Sequence, residues 1–311
     1  MADNLNNSEE EANKKTADSF KKNAVVTDSA SDVPKEYADE LDIHVVPLYI
    51  HYNGIEFKDG IDIHSEKIYS LQKEKKVIFM SSSPSPKDFI DIYSKLLKNH
   101  EKIISIHISS KLSAVIKSAK IAADLLKAKE RITIFDSLSG TMGTGFMAIA
   151  AAKAVKKDYE FSRMLKVLEF LREHMGLYGT IDTLKYLRRS GRVPAIARIA
   201  TALLRIKPLL GIKNGLVEMI GITVTRWGSL QAITSKVIRK FKSEKWVIVS
   251  VIHSLSKVEA KKVMKKIQIS LNCVESMVVE CTPVVGAHTG PGLIGIIISK
   301  LDRETAELFI W

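Results

Sequence analysis

The sequence predicts an α/β protein of two domains. The first is a mostly parallel sheet flanked by helices, and the second is a mixed sheet with helices. Three observations carry this. The chain has 311 residues, a length that suits about two domains. Through its first half, short apolar runs alternate with helical periods, the rhythm of a parallel sheet covered on both faces. In the second half the rhythm changes, with a hairpin signal at Asn214-Gly215 between two apolar runs.

Residues 1–22 are polar, rich in Asn, Glu and Lys, and nearly free of large apolar groups. Such a segment cannot bury enough surface to offset its ordering entropy, so a disordered tail is expected, with a short helix formed on a partner as the alternative. The folded part is expected to open with a strand at Ala24–Ser29 and a helix at Val33–Leu41 that carries Pro34 in its first turn. A second strand is expected over Ile43–Tyr52, turning at Asn53-Gly54 into Ile55–Lys58. Next come a helix at Ser65–Gln72, a strand at Val77–Met80 and a helix at Lys87–Lys98. The strands Lys102–Ser109 and Arg131–Asp136 follow, with helices at Leu112–Leu126 and Thr141–Val155. A boundary near Lys156–Glu160 gives expected domains of 23–158 and 159–311. The second is expected to hold a helix at Phe161–His174 and a strand at Tyr178–Ile181, then a basic helical stretch. The hairpin Lys207–Ile212 with Leu216–Thr223 comes after it. Strands at Trp246–His253, Val274–Glu280 and Leu293–Lys300 and a helix at Lys257–Ile269 complete the domain.

Composition narrows the function classes. Apolar residues make up 46% and charged residues 26%, an ordinary globular balance. Apolar runs such as Gly145–Val155 are far shorter than the roughly 18 to 20 residues that span a bilayer. No signal peptide is visible, so a cytoplasmic protein is expected. Cys273 and Cys281 have neither zinc-site nor disulfide spacing and are expected to be buried thiols. The net charge of +12 points to an anionic partner or surface. With 7% aromatic residues and no recognition motif, nucleic acid is the weaker reading. No phosphate loop, nucleophile elbow or metal-ligand cluster is present. Gly143-x-Gly145-x-x-Ala148 imitates a dinucleotide fingerprint but follows a late strand.

Candidate binding residues gather at strand ends, where parallel sheets bind ligands. Ser29 and Ser31 follow the first strand, Ser81 to Ser85 the third, and Ser109, Ser110 and Ser113 the fourth. Each cluster alone suits helix capping. Three at consecutive strand ends suggest a shared polar pocket. His288-Thr289-Gly290-Pro291-Gly292 forms a tight turn, which is expected to hold His288 on a loop rather than a helix face. Thr183–Val217 holds eight basic residues and no acid, with apolar positions near helical spacing.

Together these motifs resemble the DegV family. The resemblance rests on Val26-Thr27-Asp28-Ser29, Asp32-Val33-Pro34, Val45-Val46-Pro47-Leu48-Tyr49 and Gly60-Ile61-Asp62-Ile63. It continues through Ser81 to Pro86, Ser109-Ser110-Lys111-Leu112-Ser113, Asp136-Ser137 and Gly191-Arg192-Val193, then Lys207-Pro208-Leu209-Leu210 and the His288 turn. It covers Val25 to about Lys300 in the family's order. The resemblance implies a DegV-like fold that holds one long-chain fatty acid as its ligand, with no other cofactor. The acyl tail would run into an apolar tunnel in the second domain. The carboxylate would be held by Ser81 and Ser113, with His288 completing the polar end and Arg192 at the mouth. It also implies a non-catalytic role in phospholipid metabolism, presenting the acid to the catalytic subunit of a fatty acid kinase. Ser81 stands where the family usually has threonine, and Ser82 is the alternative within the serine run. Ala114-Val115 stands where Gly-Thr is usual. The basic stretch suits the kinase or a transient anionic membrane surface. Two competing readings are a hydrolase acting on acyl esters, with Ser113, His288 and Asp28 as its triad, and a basic regulatory or nucleic-acid-binding protein.

Overall fold

A computed structural model describes residues 21–191 and 206–310. Three sheets organise them. The first is fully parallel, in the order β2-β1-β6-β7, built from β1 (Lys21–Asp28), β2 (Ile43–Val46), β6 (His100–His107) and β7 (Ile132–Asp136). Its strands read as continuous apolar runs because both faces are buried. Val25 faces one core, while Ala24 and Val26 face the other. β1 begins two residues inside the segment expected to be a disordered tail, because Lys21 pairs in register with His100. Residues 1–20 of that tail lie outside the described residues.

The expected single strand Ile43–Tyr52 is two strands in two sheets. Pro47 has no amide hydrogen to donate and breaks the ladder. β3 (Tyr49–Tyr52) leaves the parallel sheet and pairs antiparallel with β4 (Ile55–Lys58) and β5 (Met80–Ser82). The strand expected at Val77–Met80 therefore lies later, at Met80–Ser82, and belongs to this small sheet rather than the parallel one. Four helices serve this half: α1 (Lys35–Glu40), α2 (Ser65–Lys75), α3 (Pro86–Leu96) and α4 (Val115–Leu125). α3 starts on a capping box in which Ser85 and Asp88 satisfy each other's backbone amides.

The mixed sheet has six strands in the order β10-β9-β8-β13-β11-β12, parallel only between β11 and β12. These are β8 (Gly176–Thr180), β9 (Lys207–Lys213), β10 (Leu216–Thr223), β11 (Val247–His253), β12 (Cys273–Glu280) and β13 (Ile294–Lys300). The helices of this half are α6 (Phe161–His174), α7 (Lys185–Ser190), α8 (Arg226–Phe241), α9 (Lys257–Ser270), α10 (Pro283–Thr289) and α11 (Arg303–Ile310). α8 and α9 cover one face of the sheet. Sequence reading missed α8, α10 and α11. Cys281 is buried, as expected, but Cys273 at the other end of β12 is only half-buried.

Between the two large sheets lies α5 (Met142–Lys156), buried along nearly its whole length. Its core includes Ile104 and Ile106 from the parallel sheet and Ile248, Ile252 and Ile297 from the mixed one. Small residues let it approach closely. A Cβ at Gly145 would come within 2.6 Å of the Ser31 carbonyl oxygen, so the dinucleotide-like glycines serve packing.

Candidate functional site

A pocket opens where the parallel sheet, the small sheet and the mixed sheet meet. It holds about 1020 Å³ of space, counting its mouth. Most of its wall is aliphatic, including Leu48, Ile108, Leu177, Leu210, Ile252 and Leu293. Two facing glycines, Gly179 on β8 and Gly295 on β13, leave the floor without side chains where they pair.

Four of the sequence-predicted polar residues meet here. Ser81, Ser82, Ser113 and His288 all line the pocket. Ser81 Oγ lies 2.6 Å from His288 Nε2, across 207 positions of sequence. Ser113 Oγ lies 2.9 Å from Ser83 Oγ, which also accepts a 3.2 Å hydrogen bond from the Ala114 amide. The Ser82 hydroxyl is 2.8 Å from His51 Nε2. Arg192 lies outside the described residues, as do Arg198 and Arg205 of the basic stretch. Within that stretch Lys185 bonds the Lys76 carbonyl and Lys207 pairs with Asp182 at 2.9 Å.

Contrary to expectation, His288 stands on a helix. α10 runs through His288 to Thr289, and the turn residue Gly290 follows with a φ of 73°. Three buried side chains from the first half hold this helix. Asp32 accepts from both the amide and the hydroxyl of Thr282 at 2.8 Å. Asp59 accepts from the Val284 amide at 3.1 Å, and Gln72 Nε2 donates to the Gly286 carbonyl at 3.1 Å. Burial pushes the Asp32 carboxyl up to about 7, against lowering by its Thr282 hydrogen bonds and with added repulsion from Asp59. Burial likewise pushes Asp59 up to about 7, offset in part by hydrogen bonds from Ser29 and Val284. The two acids thus carry protons through the weakly acidic range while they anchor the helix that presents His288.

The other serines do different work. Ser29 Oγ accepts from the Leu48 amide at 3.0 Å. Ser109 Oγ donates to the Gly215 carbonyl at 2.8 Å and ties the β9–β10 hairpin to β6. Ser110 bonds Asp136 at 2.6 Å. The expectation of three strand-end clusters in one pocket therefore holds for two of them. The hydrolase triad is not assembled. The Asp28 carboxylate is 2.9 Å from His107 Nδ1, not from His288, and His107 Nε2 is 2.7 Å from Ser105 Oγ. Tyr93 donates to the same Ser105 oxygen at 2.7 Å, so this chain of groups is a buried strut between β1, β6 and α3. Asp28, His107 and Ser105 have no exposed surface, and no substrate reaches them.

Ser83 belonged to the serine cluster expected at the pocket but was given no ligand role of its own, and one lining residue was missed. Thr141 carries no sequence signal. Its φ is positive, at 52°, which is rare for a β-branched residue. Its Oγ is shut off from water and has no hydrogen-bond partner among the described residues, although the residue lines the pocket. Among the described residues no group of three His, Cys, Asp or Glu is placed to hold a metal ion. No helix among them is long and apolar enough to cross a membrane.

The DegV family model matches residues 22–301, which is most of the chain. This chain belongs to the DegV family. A DegV domain-containing protein of Staphylococcus aureus (strain MRSA252) is 32% identical over 281 residues, covering 90% of this chain and 99% of the relative. Among solved structures, a fatty-acid-binding DegV family protein from Thermus thermophilus is 30% identical with a TM-score of 0.84. That likeness covers 90% of this chain and 100% of the other. DegV of Bacillus subtilis, described as a fatty acid binding protein, is 25% identical with a TM-score of 0.80, covering 90% of this chain and 99% of the other. The α/β architecture, with its parallel and mixed sheets, is shared with these DegV proteins.

Proposed function

We propose that this protein binds one long-chain fatty acid and presents its carboxylate to a separate fatty acid kinase. The observation that carries the reading is the convergence of Ser81, Ser113 and His288, from three separate elements, on an otherwise aliphatic pocket. The fatty-acid-binding relatives support it. The halves 23–158 and 159–311 act as two domains, with the carboxylate at their junction and the acyl tail running into the second. Ser81, Ser113 and His288 hydrogen-bond the carboxylate, and Arg192, outside the described residues, serves the later phosphoryl transfer.

A sixteen-carbon acid buries about fifteen carbon groups, roughly 12 kcal/mol of gross driving force at about 0.8 kcal/mol each. Association costs of about 4 to 15 kcal/mol offset much of this. An enclosed pocket is needed to capture the gain. The carboxylate must then shed part of its water, and each hydrogen bond to it contributes about 1.5 to 3 kcal/mol. Binding of this kind needs no nucleophile. The later phosphoryl transfer rests mainly on positioning and charge stabilisation, so the chain itself works as a carrier in the cytoplasm.

Native mass spectrometry of the purified protein, with analysis of its organic extract, tests the reading. About one fatty acid per chain is expected. Ligand-free protein that also fails to take up added palmitic acid would overturn it.

A further inference from the structure

We propose that the N-terminus of α9 binds a phosphoryl group, free or carried as a monoester, at a site separate from the fatty-acid pocket. The topology is the first observation. β11 and β12 pair in parallel and are joined through α9 as a strand–helix–strand unit. Ligands of such units gather beyond the carboxyl end of the first strand, where the following helix begins. A second pocket, of about 780 Å³ counting its mouth, opens at that place beside His253, Ser256, Lys257 and Glu280. The helix start is uncapped. Ser256 turns its hydroxyl back to the Ser254 carbonyl at 3.3 Å, and its own carbonyl accepts from the Ala260 amide at 2.9 Å. The amides of Lys257, Val258 and Glu259 have no acceptor among the described residues, and they lie at the positive end of a helix of 14 residues.

The second observation is His253. It ends β11 and is only 3% exposed, yet it forms part of the wall of this second pocket. Its Nδ1 is shut off from water and has no hydrogen-bond partner among the described residues. Glu280 Oε1 is 3.9 Å away, beyond hydrogen-bond range. Burial and the Lys257 charge hold the imidazole below its usual pKa, so His253 is neutral near pH 7 and the two do not form an ion pair. A buried ring left without a partner on a pocket wall calls for one, and an oxyanion seated in the pocket supplies it. The surrounding charges permit this. Glu259 is neutralised by the Arg226 guanidinium at 3.1 and 2.6 Å. Burial pushes the Glu280 carboxyl above its usual range, against lowering by the Leu255 amide and Lys257 and with added repulsion from Glu66. Leu255 and Val258 are exposed on the same wall and give an apolar footing for a monoester. Strand alternation keeps the two sites apart. Ile252 lines the fatty-acid pocket, and His253, next along β11, points to the other side of the sheet. The inference does not depend on what the first pocket holds.

The test titrates the isotope-labelled full chain with inorganic phosphate and, separately, with butyl phosphate at constant ionic strength, and follows backbone amides by NMR. The amides of Lys257, Val258 and Glu259 should shift together and saturate at millimolar ligand. Tighter binding of butyl phosphate assigns a monoester, and equal or weaker binding assigns the free ion. His253→Phe fills the space of the ring without its nitrogens and should weaken binding roughly tenfold or more. Lys257→Gln should weaken it about two- to fivefold, and Glu280→Gln should tighten it about two- to fivefold. The proposal is overturned by no saturable shift of these amides with either probe, or by full affinity in His253→Phe. Weaker binding in Glu280→Gln also overturns it and makes that acid a ligand rather than an opponent. Should His253→Phe fail to fold, the opposite signs of the Lys257→Gln and Glu280→Gln effects decide, because both side chains are exposed. Palmitic acid binding is measured in parallel on the parent, so failure here is distinct from failure of the pocket reading.

Discussion

Ser113 and Ser29 are both serines at the ends of parallel strands, yet their removal should have opposite consequences. Ser113 is half-exposed and its hydroxyl meets Ser83 Oγ at 2.9 Å in the pocket. Ser113→Ala leaves Ser83 within reach of water and of the Ala114 amide, so the folded state loses little. With a fatty acid bound, one hydrogen bond to a carboxylate is lost, about 1.5 to 3 kcal/mol. That is roughly tenfold to 150-fold in affinity. Ser29 is buried and accepts from the buried Leu48 amide at 3.0 Å. Ser29→Ala leaves that amide without an acceptor, at about 1 to 3 kcal/mol of stability. For a chain of this size that lowers the melting temperature by about 2 to 4 °C per kcal/mol. Calorimetric titration with palmitic acid and thermal unfolding of the ligand-free protein should therefore separate the variants. Ser113→Ala should lose affinity at nearly unchanged melting temperature, and Ser29→Ala the reverse. Equal losses of affinity would refute the division between pocket and scaffold.

Three further outcomes are expected. Gly179→Leu should weaken binding of a sixteen-carbon acid more than of an eight-carbon acid, because a side chain there enters the pocket while its Cβ lies 3.4 Å from the Ile294 carbonyl, an ordinary contact; unchanged chain-length preference counts against it. Asp32 and Asp59 hold their protons to about 7 in the folded chain, against 3.8 for a free carboxyl, so over that pH range the folded state binds more protons and stability falls as pH rises. Asp59→Asn should flatten that slope in chemical unfolding curves taken across the range, and an unaltered slope would remove Asp59 as its source. Arg192→Ala should leave fatty-acid affinity nearly intact and sharply lower acyl-phosphate formation with a cognate kinase, where a guanidinium can bind a phosphoryl group bidentately; a wild-type phosphorylation rate sinks this role.

Much of the fold was legible in local pattern. The apolar runs of β1 and β6, buried on both faces, and the Asn214-Gly215 turn between β9 and β10 follow from periodicity and turn chemistry acting over a few residues. α8 was legible too, with Thr225 capping it at 3.0 Å and Ile233, Val237 and Phe241 on one stripe, although the reading passed over it. The family motifs pointed to Ser81, Ser113 and His288, and the structure brings them to one pocket.

By itself the sequence determined the alternation of elements, the hydroxyls available at their ends and the family to which their order belongs. Tertiary structure decided which hydroxyl does what. Ser29 and Ser109 turn to the scaffold, Ser83 joins Ser113, and Thr141 lines the pocket, although all are short hydroxyls in polar turns. It also decided that Asp32 and Asp59, rather than a loop, hold His288 in place, through bonds that span 250 and 225 positions of chain. The reason is one of range. A helix or turn is chosen by interactions among near neighbours, whereas a hydrogen bond at about 3 Å selects its partner only after distant elements have packed.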